Sequence, residues 1–220
     1  MLLSSTCPLC QSSKIDRFFK DSKRDYLQCG RCALVFVPEH YFLSWTEEKA
    51  EYDLHENSAD DPGYRAFLGR LFTPMLAKLP TSECQGLDFG SGPGPTLSVM
   101  FAEAGHSVAL YDPFYAHRPS VFNDQYDFIT ATEVVEHLHH PAKELDRLWR
   151  CLRPEGILGI MTKRVKDLSA FSSWHYKNDP THVCFFSEET FKWLEAKWGA
   201  KLEIIGKDVV MFTKSSTTFV

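Results

Sequence analysis

The sequence predicts a doubly wound α/β domain, its sheet closed by an antiparallel C-terminal strand, with a small four-cysteine module ahead of it. Three observations point there. From position 86 onward, short apolar runs alternate with stretches of helical periodicity, the pattern of a sheet covered by helices on both faces. Leu87-Asp88-Phe89 runs straight into Gly90-Ser91-Gly92-Pro93-Gly94-Pro95, a glycine turn between strand and helix. Cys7-Pro8-Leu9-Cys10 and Cys29-Gly30-Arg31-Cys32 are two CxxC pairs separated by 18 residues.

A chain of 220 residues holds one medium α/β domain and an appendage. The expected division is a metal module at 1–40, a helical connector at 41–80 and the α/β domain at 81–220. With 44% hydrophobic and 14% aromatic residues there is material for a packed core. A net charge of -5 argues against general nucleic-acid binding, which needs concentrated Lys and Arg. A local basic excess falls among Lys14, Arg17, Lys20, Lys23, Arg24 and Arg31, for which a solvated face is the plainer reading. No stretch has the apolar length of a signal peptide or a membrane span, so a soluble, cytoplasmic protein is expected.

Each CxxC pair forms a tight turn offering two thiolates to one ion, and two such knuckles together give the closed sulfur tetrahedron that structural zinc prefers. Cys7, Cys10, Cys29 and Cys32 are therefore the expected zinc ligands. The competing readings are a redox CxxC, which would open a helix in a βαβ unit, and an iron–sulfur site; neither explains two pairs flanking a short, polar, strand-like segment. Cys84, Cys151 and Cys184 are scattered and read as packing residues.

Residues 33–37 read as the closing strand of the module, stopped by Pro38. Phe67, Leu68, Leu71, Phe72, Met75, Leu76 and Leu79 recur at helical spacing, predicting an amphipathic helix over 63–79 that Pro74 kinks. In the α/β domain the predicted elements are a strand at 87–89, a helix at 96–103, and strands at 107–111, 126–131 and 156–161. A helix at 188–198 with Ser187 as its N-cap follows, then two strands at 201–205 and 209–213 joined at Gly206-Lys207-Asp208. A dinucleotide fingerprint would need glycine at position 95, which is proline. Asp112 closes the second strand about twenty residues after the glycine turn, where a carboxylate can accept hydrogen bonds from a ribose diol. The alternative for Asp112 is a turn residue before Pro113.

The run from Leu87 to Gly94 resembles the first motif of class I S-adenosylmethionine-dependent methyltransferases, in which an acidic residue precedes a GxGxG turn. The likeness extends over residues 86–214. It implies a Rossmann-like methyltransferase sheet and S-adenosylmethionine held by Asp88, Gly90, Ser91, Gly92, Gly94, Asp112, Pro113, Thr132 and Glu133. One departure stands out: only 13 residues separate Asp112 from Tyr126, where the family fits a helix, a third strand and an adenine-contacting acid. That edge of the sheet must be shortened, and the adenine-contacting residue is left unassigned.

Glu133-Val134-Val135-Glu136-His137 follows the strand at 126–131, at the end of the sheet where acceptor would meet cofactor. If it is helical, Glu133, Glu136 and His137 share a face. The ExxEH pattern, with His182 ahead of Phe185, Phe186, Ser187 and Trp193, resembles metal-assisted O-methyltransferases of small RNA 3′ ends and of the ubiquinone pathway. That likeness implies a divalent site of Glu133, Glu136, His137 and His182 for Mg or Mn; the alternative is a hydrogen-bonded brace. His182 or His175 is the expected base, with Glu133 beside it, and Trp174 and Tyr176 are candidates for an aromatic lid. The expected activity is methyl transfer to a small-molecule acceptor, oxygen favoured. A sugar C-methyltransferase, an RNA modifier docking through the module and a non-catalytic cofactor-binding module are the rivals.

Overall fold

A computed structural model describes residues 6–54 and 57–216. The N-terminal module holds strands β1 (Ile15–Lys20), β2 (Asp25–Cys29) and β3 (Val35–Phe36). Helices α1 (Trp45–Tyr52) and α2 (Pro62–Leu76) lead into β4 (Gln85–Phe89), α3 (Thr96–Glu103), β5 (Ser107–Tyr111) and β6 (Tyr126–Thr132). Then come α4 (Pro141–Cys151), β7 (Leu152–Met161), α5 (Leu168–Ser172), β8 (Cys184–Phe185), α6 (Glu188–Trp198), β9 (Lys201–Ile205) and β10 (Val209–Thr213).

Six strands form the main sheet in the order β5-β4-β6-β7-β10-β9, the first four parallel and β10 antiparallel to both its neighbours. Alternation along the strands shows why both faces are covered. Val210 and Phe212 of β10, with Leu158 and Ile160 of β7, join one apolar cluster, while Val209, Met211, Ile157 and Met161 join the other. The second cluster is capped by Leu68, Leu71 and Met75 of α2 and Leu97, Met100 and Phe101 of α3. The first is capped by α4 and α6 through Leu145, Leu148, Phe191 and Leu194. The expected truncation is present: β5 is the edge strand, and the short link to β6 holds a single 3-10 turn, Pro119–Asn123, pinned by Tyr126 Oη donating to Val121 O at 2.8 Å.

The four strands of the second sheet run β1-β2-β3-β8, so its last strand comes from the α/β part of the chain. Val35 pairs with Phe185 and Phe36 with Cys184. The core is shared as well, for Leu27, Leu34 and Phe36 belong to the same cluster as Phe171, Phe185 and Phe186. A segment of about 35 residues buries too little by itself, and leaning on a larger core supplies the difference.

The helices differ from expectation in four places: α1, α4 and α5 were not predicted, and α2 is shorter than the periodicity suggested. The connector carries an extra helix, α1, set by a capping box in which Ser44 Oγ accepts Glu47 N and Glu47 Oε2 accepts Ser44 N at 2.8 Å. α2 begins with Pro62 after the Asp61 cap and ends at Leu76, where the pattern tightens: Lys78 N–H and Leu79 N–H turn back only three residues, to Met75 O at 3.0 Å and Leu76 O at 3.2 Å.

Candidate active site

The glycine turn leaves β4 at its carboxyl end. Gly90 and Gly92 lie in the left-handed region at φ +75° and +63°, and a Cβ on Gly90 would sit 2.4 Å from Val134 Cγ2, so only glycine fits there. Gly90 N–H donates to Tyr111 O at 2.7 Å, tying the turn to the neighbouring strand β5. Asp112 then accepts Gly92 N–H on Oδ2 at 3.0 Å and the N–H groups of Phe114 and Tyr115 on Oδ1 at 2.8 and 3.1 Å. A carboxylate offers roughly four acceptor positions, so about one remains for a ribose hydroxyl where the sequence suggested two.

A cleft of about 690 Å³ opens over this end of the sheet. Of the expected site residues, Gly90, Ser91, Gly92, Asp112, Pro113, Thr132, Glu133, His137 and His182 are in its wall. Ser91 Oγ and Thr132 Oγ1 are buried behind that wall with no hydrogen-bond partner among the described residues. Asp88, Gly94, His175 and Glu136 are not brought to the wall. Asp88 points into the sheet, accepting Thr130 Oγ1 at 2.7 Å, and burial pushes its carboxyl up to about 6. Gly94 packs under the backbone of Asn57, and His175 is exposed beside Lys163 Nζ at 3.2 Å. Glu136 is fully buried beneath the cleft floor.

The segment after β6 is not an α-helix. Glu133 takes a left-handed conformation at φ +52°, its N–H bound to Met161 O at 2.7 Å, and Val135–His137 form one 3-10 turn. Left-handed backbone in a glutamate is uncommon, and here the strand-end hydrogen bond holds it. The two carboxyls meet through Tyr176, whose hydroxyl donates to Glu136 Oε1, accepts from Thr162 Oγ1 at 3.2 Å and lies 3.4 Å from Glu133 Oε2. Burial raises both acids, Glu133 to about 7 against the pull of Lys163, and Glu136 to about 8 with help from the Glu133 charge.

His182 is buried in the cleft wall with Nδ1 2.7 Å from Tyr176 O. A carbonyl only accepts, so Nδ1 carries the hydrogen and Nε2 keeps its lone pair. Burial holds this imidazole below its ordinary pKa, Asp179 opposing, and Asp179 Oδ2 lies 3.6 Å from Nε2. The His137 ring meets it edge-on at 4.6 Å. Ligand atoms of Glu136, His137 and His182 fall within 4.8 Å of one another, and Glu133 is outside that grouping.

A family model of the methyltransferase domain matches residues 60–203, about two-thirds of the chain. The chain belongs to the methyltransferase-domain family. Among solved structures, the magnesium protoporphyrin IX methyltransferase of Synechocystis PCC 6803 with bound SAH shares 12% identity over 80% of this chain and 97% of its own, at a TM-score of 0.55. A SAM-dependent methyltransferase from Archaeoglobus fulgidus gives 15% identity, 78% and 100% coverage and a TM-score of 0.53. The Burkholderia thailandensis 1,6-didemethyltoxoflavin-N1-methyltransferase with bound 1,6-didemethyltoxoflavin and S-adenosylhomocysteine gives 17% identity, 90% and 98% coverage and a TM-score of 0.50. No curated protein matches. The sheet, glycine turn and strand-end acid are those of a class I S-adenosylmethionine-dependent methyltransferase. Among the described residues no helix is long and apolar enough to cross a membrane.

The methyltransferase carries its four N-terminal cysteines as one cluster. Cys7 and Cys32 sulfurs lie 3.5 Å apart and Cys10 and Cys29 sulfurs 3.4 Å apart, near the edge of about 3.8 Å for a tetrahedron with zinc–sulfur bonds of ~2.3 Å. The knuckles repeat each other: Gln11 N–H returns to Cys7 O at 3.0 Å and Ala33 N–H to Cys29 O at 2.9 Å, both residues left-handed at φ +57°. This donor set is compatible with zinc.

Three contributors were not foreseen. The cleft is covered by α1, where Trp45 leans on Phe114 with ring centroids 4.0 Å apart, rather than by Trp174 and Tyr176, which pack on each other at 5.0 Å below it. The capping box at Ser44 was the available signal. Tyr176 as the link between two carboxyls and Arg24 as a contact of the His182 loop had none, since their partners lie far along the chain.

Proposed function

We propose that this methyltransferase passes the methyl group of S-adenosylmethionine to a hydroxyl of a small-molecule acceptor, with His182 taking the hydroxyl proton. One observation carries the reading: a buried, neutral imidazole whose Nδ1–H is fixed on Tyr176 O presents Nε2 in the same cleft as the glycine turn. Gly90, Ser91, Gly92, Asp112, Pro113 and Thr132 would hold the cofactor, which when bound supplies an electrophilic methyl on a sulfonium. Because the methyl is already activated, the chain's task is to orient the acceptor and receive a proton. Asp179, 3.6 Å from Nε2, favours the imidazolium that forms. The four cysteine thiolates would hold a structural zinc.

A second reading rests on the Glu136, His137 and His182 grouping, where Glu136 Oε2 is buried with no hydrogen-bond partner among the described residues and a divalent cation would satisfy it. Two imidazoles and one carboxylate suit Mn or zinc better than Mg, which prefers oxygen.

The test is the full chain incubated with tritiated S-adenosylmethionine and a fractionated metabolite extract, with methylated products identified by mass spectrometry. An O-methyl product, and a loss of about 10²–10⁴-fold in kcat for His182→Ala, supports the proposal. An N- or C-methyl product, or full activity of the variant, overturns it. Metal analysis after mild dialysis decides the second reading, which needs an ion beyond that held by the cysteines.

A further inference from the structure

We propose that Arg24, in the N-terminal module, is a positioning residue of the acceptor site, holding the loop that carries His182. Arg24 sits at the turn between β1 and β2, and the residue is buried at 7% exposure. Nη1 donates to Pro180 O at 3.2 Å and His182 O at 3.0 Å; Nη2 donates to Asp179 O at 3.0 Å and to Lys177 O. Four carbonyls of one six-residue loop thus converge on a single side chain more than 150 positions away in sequence.

The hairpin turn reinforces the grip. Buried Lys177 reaches back with Nζ to Asp21 Oδ2 at 3.1 Å, and Tyr26 Oη lies 3.2 Å from the same oxygen and 3.2 Å from Lys177 O. Asp21 Oδ1 accepts Lys23 N–H and Arg24 N–H at 2.8 and 2.9 Å, which shapes the turn that presents Arg24. Just past the loop, Val37 N–H of the module bonds Val183 O at 2.9 Å, and Val183 N–H bonds Glu136 O at 2.8 Å.

The consequence for His182 is geometric. Its carbonyl is held by Arg24, the next residue by Val37 and Glu136, and its ring nitrogen by the carbonyl of Tyr176, the residue that leads into the loop. Releasing the segment that carries this ring therefore means breaking hydrogen bonds to the module, those of Arg24 to the carbonyls of Lys177, Asp179, Pro180 and His182. Only a planar guanidinium has donors spread widely enough for four carbonyls at once; an ammonium is a point charge with three. The effect on methyl transfer rests on His182 being the base, whereas the positioning itself does not.

The test uses the full chain saturated with S-adenosylhomocysteine, ¹⁵N-labelled, in native form and as Arg24→Met and Arg24→Lys, with His182 signals assigned by His182→Gln. In the native chain the long-range ¹⁵N–¹H pattern of His182 is that of an Nδ1–H tautomer. Each Arg24 variant is expected to shift it toward the Nε2–H form that free imidazole side chains prefer, and to speed amide exchange across residues 177–183 by at least about tenfold. Calorimetric affinity for S-adenosylhomocysteine stays within about threefold, because the glycine turn shares no partner with Arg24. An unchanged tautomer with unchanged loop exchange overturns the proposal. So does a loss of S-adenosylhomocysteine affinity as large as the change in the loop, which would mark Arg24 as a general fold residue. If Arg24→Met does not fold, Arg24→Lys decides by the same readings, and failure of both to fold also overturns it. A correct tautomer shift combined with full activity of His182→Ala would leave the positioning intact and remove the base.

Discussion

Gly92 N–H donates to Asp112 Oδ2 at 3.0 Å, joining the turn after β4 to the acid after β5 across two neighbouring parallel strands. The carboxylate is already held by two further backbone amides, so it is fixed before any ligand arrives. Pre-organisation of this kind makes the side chain count fully in binding. Asp112→Ala should weaken S-adenosylhomocysteine binding by roughly 10–100-fold, the worth of one charged hydrogen bond and a loosened turn, measured by calorimetry. Binding unchanged within error would place the cofactor elsewhere.

Asp88, one position before the strand's final residue, behaves differently. Its carboxyl is enclosed with Thr130, and burial raises it to about 6. The fold therefore binds an extra proton between the ordinary value of 3.8 and about 6, and stability falls as pH climbs through that window. Asp88→Asn, which has no charge to bury, should gain up to roughly 2–3 kcal/mol relative to the native chain between pH 4 and pH 7. Thermal melts across that range check it, and S-adenosylhomocysteine affinity should be unchanged because Asp88 is outside the cleft wall.

The cysteine cluster closes β2 and precedes β3, and β3 pairs with β8 beside the His182 loop. Loss of the proposed zinc should thus be felt outside the module. Cys29→Ser, or exhaustive chelation, is expected to abolish zinc binding and lower the melting temperature by about 5–10 °C, as a loss of a few kcal/mol would in a chain of this size. Exchange at Cys184 and Phe185 should rise with it. Zinc loss with those amides still protected would mean that the module is dispensable to the sheet.

How much of this was legible in the sequence follows from which contacts are local. The glycine turn, Asp112 and the strand succession rest on periodicity and residue type within short windows, and the sheet follows them. Strand β8 did not announce itself, because two residues make a strand only through their partner, here Val35 and Phe36 far upstream. The same holds for Arg24, whose meaning lies in carbonyls of residues 177–182. Glu133 was misplaced on a helical face for a different reason: strand-end hydrogen bonding to Met161 overrode helix propensity and turned its backbone left-handed.

Tyr176 offers the sharpest check on the carboxylate pair. Its hydroxyl bonds Glu136 Oε1 and Thr162 Oγ1, while its ring lies 4.1 Å from His182 and its backbone carbonyl fixes Nδ1. Tyr176→Phe removes the hydroxyl alone, leaving ring and carbonyl. Glu136 is already raised to about 8 by burial, so the native chain loses stability as pH rises from the ordinary 4.5 toward that value. Without the phenol the charged form loses a donor and is disfavoured further, which steepens the fall. The variant should therefore be about 1 kcal/mol less stable near pH 5, where a neutral hydrogen bond is lost, and up to roughly 3 kcal/mol less stable near pH 9, where a charged one is. Denaturant melts of both chains at the two pH values measure this, and a difference that does not grow with pH would mean that Glu136 keeps its charge by another partner.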